Sequence, residues 1–287
     1  MPMEYGPFPY SPINRRPTYR FPNRARVAVL VVPNIEFFPL SHNVPPVAGR
    51  GKIPDVPSWG VRDYGNRIGL FRLMDVMDRY GIRGTAALNS AICTHHPAII
   101  EDCLVRNWEF IGHNETNTAR LNEIPADEEV LVIRRTINAI ESATGARPKG
   151  WLGAGLQETW QTLDHLADCG VEYVSDWCND DQPYVMRLAA GRTIACVPYS
   201  FETNDKAAYE NQHLTPDEFG EMIRRQFDAF YREGETQARV LTIALHPYVS
   251  GVAHRIDMLD GIFGYICGHD DVWLATGSEL AAVARDL

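Results

Sequence analysis

Three short polar clusters stand where apolar runs end, and their residue types suit proton transfer at a carbonyl. Asn34-Ile35-Glu36 closes the run Val27-Ala28-Val29-Leu30-Val31-Val32. Gly112-His113-Asn114-Glu115-Thr116-Asn117 closes Trp108-Glu109-Phe110-Ile111, and His246-Pro247 closes Val240-Leu241-Thr242-Ile243-Ala244-Leu245. A carboxylate can orient or deprotonate water, imidazoles can relay protons near neutral pH, and amides can hold an oxyanion. A carboxylate and two histidines, brought together, form the pattern of a hydrolytic site. They are remote in sequence, so only the fold can assemble them.

The elements that must do so are legible. Runs this short and rich in branched residues read as buried strands. In a barrel of parallel strands the ends on one face converge on a single pocket. Residues 1 to 25, rich in Pro, Tyr and Arg, read as an extended arm, and from Arg26 strands and helices alternate. The Pro- and Gly-rich stretch 37 to 62 is too long for a connector and reads as a lid or pocket wall. A helix is expected over 65 to 80, with Ile68, Phe71, Met74 and Met77 on one face and Gly81 after its end. Further helices are expected near 97–106, 159–169, 216–233 and 256–267, with a terminal one after the closing strand 272–275. Val130, Ile133, Ile137 and Ile140 mark another, opened near Pro125 and closed by Gly145. Strands are expected at 83–88, up to His113, up to Trp151, at 171–175 and up to His246, with a hairpin-like pair about Gly191. Strands separated by helices imply a parallel sheet, and about seven of them favour a closed barrel. The expected fold is therefore α/β, a distorted (β/α)7-type barrel over 26–287 as one domain, with the N-terminal arm 1–25. No internal repeat and no linker divides it.

Totals exclude several functions. A net charge of −10 over 287 residues argues against phosphate-backbone binding, so no nucleic-acid partner is expected. No apolar stretch approaches the roughly 20 residues needed to span a bilayer, so no membrane partner is expected either. Met1-Pro2-Met3-Glu4-Tyr5-Gly6-Pro7 lacks the basic and apolar regions of a secretory signal. Six cysteines contain no Cys-x-x-Cys pair, so free thiols in a reducing compartment are the plainer account and a cytoplasmic location is expected. Arg15, Arg16, Arg20, Arg24 and Arg26 make the arm mildly basic, open to an anionic partner; the acidic whole favours subunit contact, a homo-oligomer (dimer or tetramer) through the arm.

The order of motifs resembles the polysaccharide-deacetylase superfamily, with the fold of the nodulation-factor chitooligosaccharide deacetylases. The residues that carry the resemblance are Asn34 and Glu36, His113 and Asn117, Arg147-Pro148-Lys149-Gly150-Trp151, Asp176-Trp177 and Leu245-His246-Pro247, spanning the barrel from 26 to 285. Departures carry information. Asn34 stands where the family has a catalytic aspartate, and Asn117 where it has a second histidine ligand. A metal site would rest on Glu36, His113 and the Asn117 amide oxygen, a poor set for Zn²⁺. Such erosion resembles the branch of cofactor-independent allantoinases and cyclic imide hydrolases, whose members open small cyclic amides in the cytoplasm. Asp176-Trp177-Cys178-Asn179-Asp180-Asp181-Gln182-Pro183-Tyr184 and His246-Pro247-Tyr248 also look like that branch. Ala154 departs from it, standing where a proline is expected.

The resemblance implies hydrolysis of a non-peptide carbon–nitrogen bond in a small cyclic amide (an imide, hydantoin or ureide), with no cofactor favoured. Glu36, His113, His246 and Asp176 would be catalytic, with Asp176 holding one imidazole. Asn34, Asn117, Trp151, Asp180 and Asp181 would bind substrate. One alternative is a deacetylase of an N-acetylated carbohydrate with Zn²⁺ or another divalent metal on Glu36, His113 and Asn117. Another is a non-catalytic small-molecule binder on a decayed barrel. Blander readings stand beside several residues. Trp151 suits core as well as a pocket wall, and Asp180 and Asp181 suit a turn as well as a proton-sharing pair. His95 and His96, before Pro97, read as capping or surface residues, and His165 as surface or interface. Gly153-x-Gly155 lacks the third glycine of a nucleotide loop.

Overall fold

The computed structural model describes residues 4–46 and 52–285. Its elements are, in order, β1 (Val27–Ile35), α1 (Val56–Tyr64), α2 (Leu70–Arg79), β2 (Thr85–Leu88), α3 (Ala91–His95), α4 (Pro97–Val105) and β3 (Glu109–Gly112). Then follow α5 (Ala126–Thr144), β4 (Gly150–Trp151), α6 (Thr162–Asp168), β5 (Tyr173–Val174), β6 (Tyr184–Arg187) and β7 (Thr193–Cys196). The chain closes with α7 (Pro216–Glu233), β8 (Arg239–Leu245), α8 (Pro247–Ser250), α9 (Ile256–Cys267), β9 (Val272–Leu274) and α10 (Gly277–Ala284).

The sheet order is β6-β7-β5-β4-β3-β2-β1-β8, with β9 also paired to β1. Every pairing is parallel except β6 with β7, the hairpin about Gly191. Among the described residues no strand joins β7 to β8 along the chain. There the chain after β7 runs along β8: Thr242 Oγ1 donates to the Pro198 carbonyl and Ala244 N to the Thr203 carbonyl. An irregular stretch thus stands where a regular barrel would continue its ladder, which is the distortion.

β1 is buried at all nine positions, which explains its unbroken apolar run. Val27, Val29, Val31 and Ile35 face Leu73, Met74, Phe227 and Phe263 of the outer helices, while Ala28, Leu30 and Val32 face the interior with Ala87, Ile111, Leu152 and Val197. The two-residue period carries on past the strand, so Asn34 and Glu36 keep the interior side. The helix marked by Val130 to Ile140 is α5, closed by Gly145 at φ 76°. α7 starts at Thr215, whose side chain and that of Glu218 cap one another's backbone.

The clearest departure precedes α2. Helix was expected from 65, yet α1 begins at Val56 and continues through a π-helical turn, Gly65–Gly69, into α2. α1 buries Ser58 and Arg62 and exposes Val56 and Val61, an inverse of the pattern that reveals an amphipathic helix. The expected long loop 37–62 is therefore helical over its last seven residues, 56–62, and its residues 47–51 lie outside those described.

The π turn sits directly on α8. A Cβ at Gly69 would collide with the Pro247 carbonyl oxygen, and one at Gly65 with the backbone of Tyr248. Gly69→Ala is expected to cost about 1–3 kcal/mol, the usual range for overpacking, read as a lower urea midpoint at unchanged slope.

The arm packs on its own barrel. Tyr19 exchanges main-chain hydrogen bonds with Thr236 and Ala238, Phe8 packs edge-on against Trp177 and Tyr184, and Arg16 pairs with Asp180. Arg26 pairs with Asp271, so much of the basic cluster is matched within the chain. All six cysteines are free, and no helix among the described residues is long and apolar enough to cross a membrane.

Candidate active site

Glu36, His113 and His246 are each the first residue beyond a strand: β1, β3 and β8. Their side chains meet. Glu36 Oε1 lies 3.8 Å from His113 Nε2 and 3.6 Å from His246 Nε2, and all three residues are at most 5% exposed. Tyr248 OH donates to Glu36 Oε2 at 3.0 Å.

Burial opposes a charge on Glu36, but the facing His246 ring, with His113 and Lys206 nearby, outweighs it and holds the carboxyl at about 2. Such a group is a carboxylate at neutral pH and a weak base. It suits holding a water or a cation better than taking a proton.

The two imidazoles are each fixed through Nδ1. His246 Nδ1 lies 2.7 Å from Asp205 Oδ1, and its main-chain N–H donates to Asp205 Oδ2 at 2.7 Å. Burial works against an imidazolium there, but the Asp205 and Glu36 carboxylates prevail and raise the His246 pKa. When protonated, the ring offers Nε2–H to the site. His113 Nδ1 lies 2.5 Å from the Leu152 carbonyl oxygen, which can only accept, so Nδ1 carries a proton and Nε2 is the atom turned to the site. That Nε2 is buried without a hydrogen-bond partner.

Asp176 holds no imidazole directly, contrary to expectation. The carboxylate that does is Asp205, which sequence reasoning missed: it lies 41 positions from His246, at the start of a short helical segment that runs into the π-helical turn Ala207–Asn211, and no local pattern marks it. Asp176 Oδ1 accepts from Gly153 N at 2.7 Å. Leu152 C=O and Gly153 N–H belong to one peptide, so Asp176 and the His113 ring grip opposite edges of the same group. Burial lifts Asp176 to about 6, and burial together with the Asp176 charge lifts its neighbour Glu158 well above the usual carboxylate range.

Asn34 serves the floor of the site. Its amide nitrogen donates to the carbonyls of Val32 and Leu245 and to Tyr199 OH, tying β1 to β8 rather than facing a ligand. Asn117 is anchored by its main-chain N–H on the Phe37 carbonyl, and its Oδ1 is buried without a partner.

Three further expected substrate contacts are corrected. Trp151 is fully buried in the outer layer with Leu121, Ile133 and Ile137, its ring over Gly112, because Leu152 takes the inward position on this short strand. Asp180 pairs with Arg16 of the arm, and the Asp181 carbonyl accepts from Val240 N near the start of β8. At ~3.3 Å per residue, six residues separate Val240 from His246 by about 20 Å, so both acids are remote from Glu36. His95 is exposed and stacked on Phe37, as its surface reading required.

A metal would fall to Glu36, His113 and Asn117. No three His, Cys, Asp or Glu side chains are gathered as metal ligands among the described residues. Glu36 already serves His246 and Tyr248, and an amide oxygen would have to complete the set. This does not fit Zn²⁺ and is compatible at most with a weakly held divalent ion.

No protein-family profile matches the chain. A Schizosaccharomyces pombe protein provisionally described as a polysaccharide deacetylase is 26% identical over 235 residues, 76% of this chain and 73% of its own. A crystal structure of a Pseudomonas aeruginosa PAO1 protein, also provisionally described as a polysaccharide deacetylase, superposes with a TM-score of 0.85 at 24% identity, covering 96% of this chain and 97% of its own. A crystal structure of PuuE allantoinase gives 0.85 at 22% identity over 96% of each chain. The resemblance carried by the motifs thus extends to the fold of nearly the whole chain.

Proposed function

From a fold shared with polysaccharide deacetylases and an allantoinase, we propose that the chain hydrolyses a non-peptide carbon–nitrogen bond in a small cyclic amide: an imide, hydantoin or ureide. The observation that carries this reading is one buried carboxylate facing the Nε2 atoms of two histidines, each ring anchored through its Nδ1, one on a carboxylate and the other on a main-chain carbonyl. Water rests between Glu36 and His113 Nε2. His113 takes a proton as the water oxygen adds to the carbonyl, and His246 gives its Nε2 proton to the departing nitrogen as the ring C–N bond breaks. The Asn117 side chain, with its NH₂ turned to the site, would suit the developing oxyanion. Asp205 and Asp176 position the rings without touching the reacting atoms. Because His246 must be protonated, kcat/KM is expected to fall as pH rises through its raised pKa.

The name of the yeast relative supports a second reading, a metal-assisted N-deacetylase of a carbohydrate. One experiment separates the two. The purified protein, before and after dialysis against a chelator, is assayed on succinimide, hydantoin, allantoin and N-acetylated chitooligosaccharides, with elemental analysis of each sample. Ring opening that survives chelation is the expected result. Stoichiometric zinc with chelator-sensitive acetate release would replace this reading with the second. Binding without turnover of any of them would leave a binder on an enzyme barrel.

A further inference from the structure

Ser58, Arg62 and Asn66 recur every four residues and are all buried, at 0%, 3% and 9% exposure. They form one polar face, and its direction is known: Asn66 Nδ2 donates to the Glu36 carbonyl oxygen at 2.8 Å. Arg62 lies one turn earlier on that face. Its guanidinium centre is 5.2 Å from the centroid of the Tyr248 ring, whose hydroxyl holds Glu36, and 5.7 Å from that of Phe38. Nη1 donates to the Ser58 carbonyl at 3.1 Å, while Nε is buried without a partner. No carboxylate among the described residues pairs with it. Asp55, on the same helix, spends Oδ1 on capping Ser58 N.

A guanidinium out of water without an anion is costly, and two aromatic faces offset only part of that cost. Its free Nε edge has the geometry that takes a carboxylate side-on. We propose that Arg62 receives a carboxylate carried by the substrate, on a part of the ring remote from the scissile amide. The proposal rests on the hydrolase reading and narrows its substrate to an anionic cyclic amide.

The test is titration calorimetry of the full chain with hydantoin-5-acetic acid and its neutral carboxamide, the same samples being assayed for ring opening. The acid is expected to bind about 10- to 100-fold more tightly than the amide, the range for a hydrogen-bonded charge. Arg62→Met should erase that preference while leaving carboxamide affinity unchanged, and Arg62→Lys should keep part of it. Equal affinities in the parent protein, binding of neither compound, or a preference that survives in folded Arg62→Met each overturn the proposal. The parent comparison and the Lys variant decide even where the Met variant does not fold. Turnover of both compounds with equal affinity removes the anion site and keeps the hydrolase. A preference for the acid without turnover of any cyclic amide does the reverse.

Discussion

His246→Gln is expected to lower turnover by about 10²–10⁴-fold, the usual size of a positioned proton transfer. Glutamine can fill similar volume and keep one hydrogen bond, but it cannot carry the proton that Nε2 presents toward Glu36 Oε1, 3.6 Å away. Some stability will go too. Asp205 is fully buried, and without the ring its Oδ1 loses its imidazole partner while Oδ2 keeps the main-chain N–H. Rate per folded molecule and melting temperature must therefore be measured together. A variant that is less stable yet fully active would show His246 to be structural. Glu36 would then lie beside a mere scaffold, and the mechanism would have no acid.

Asp205→Asn should cost a similar factor, about 10²–10⁴, with a signature of its own. The main-chain N–H of His246 can only donate, so the asparagine must turn its oxygen there and its NH₂ toward Nδ1. The ring then accepts at Nδ1 and stays neutral with its proton on Nε2, and the carboxylate that raised its pKa is gone. The alkaline limb of kcat/KM should move to lower pH. An unchanged pH profile, with only stability reduced, would mean that Asp205 does no more than pin the turn after β8. The same linkage has a sign for the parent fold. A raised His246 pKa stabilises the native state below the ordinary histidine value near ~6.5 and ceases to do so as pH climbs through the folded value.

What sequence could and could not reveal follows from the range of the forces involved. Strand ends were legible because β1 and β8 are buried on both faces, so the apolar run stops where the pocket begins. Glu36, His113 and His246 were found for that reason, and the structure brings them together. Asp205, by contrast, opens a short helical segment 41 positions from His246, and nothing local marks which strand end it will meet. Trp151 was misplaced because a two-residue strand gives no alternation from which to tell inward from outward. Asp180 and Asp181 shared a motif with Asp176, but the chain descends steeply there and carries them to the other end of β8. α1 was hidden by its own chemistry: a helix that buries arginine and exposes valine shows no moment of the expected sense.

The glycine contact between the π turn and α8 bears on how the pocket opens. Gly65 and Gly69 bring the backbone that carries Arg62 and Asn66 against the backbone of Pro247 and Tyr248, with no side chains between to act as a cushion. Such a seam does not slide. If the segment swung outward as a flap, it would drag the turn that begins at His246, strip Tyr248 from Glu36 and break the Asn66 hold on β1. Any opening on this side would therefore unmake the acid as well.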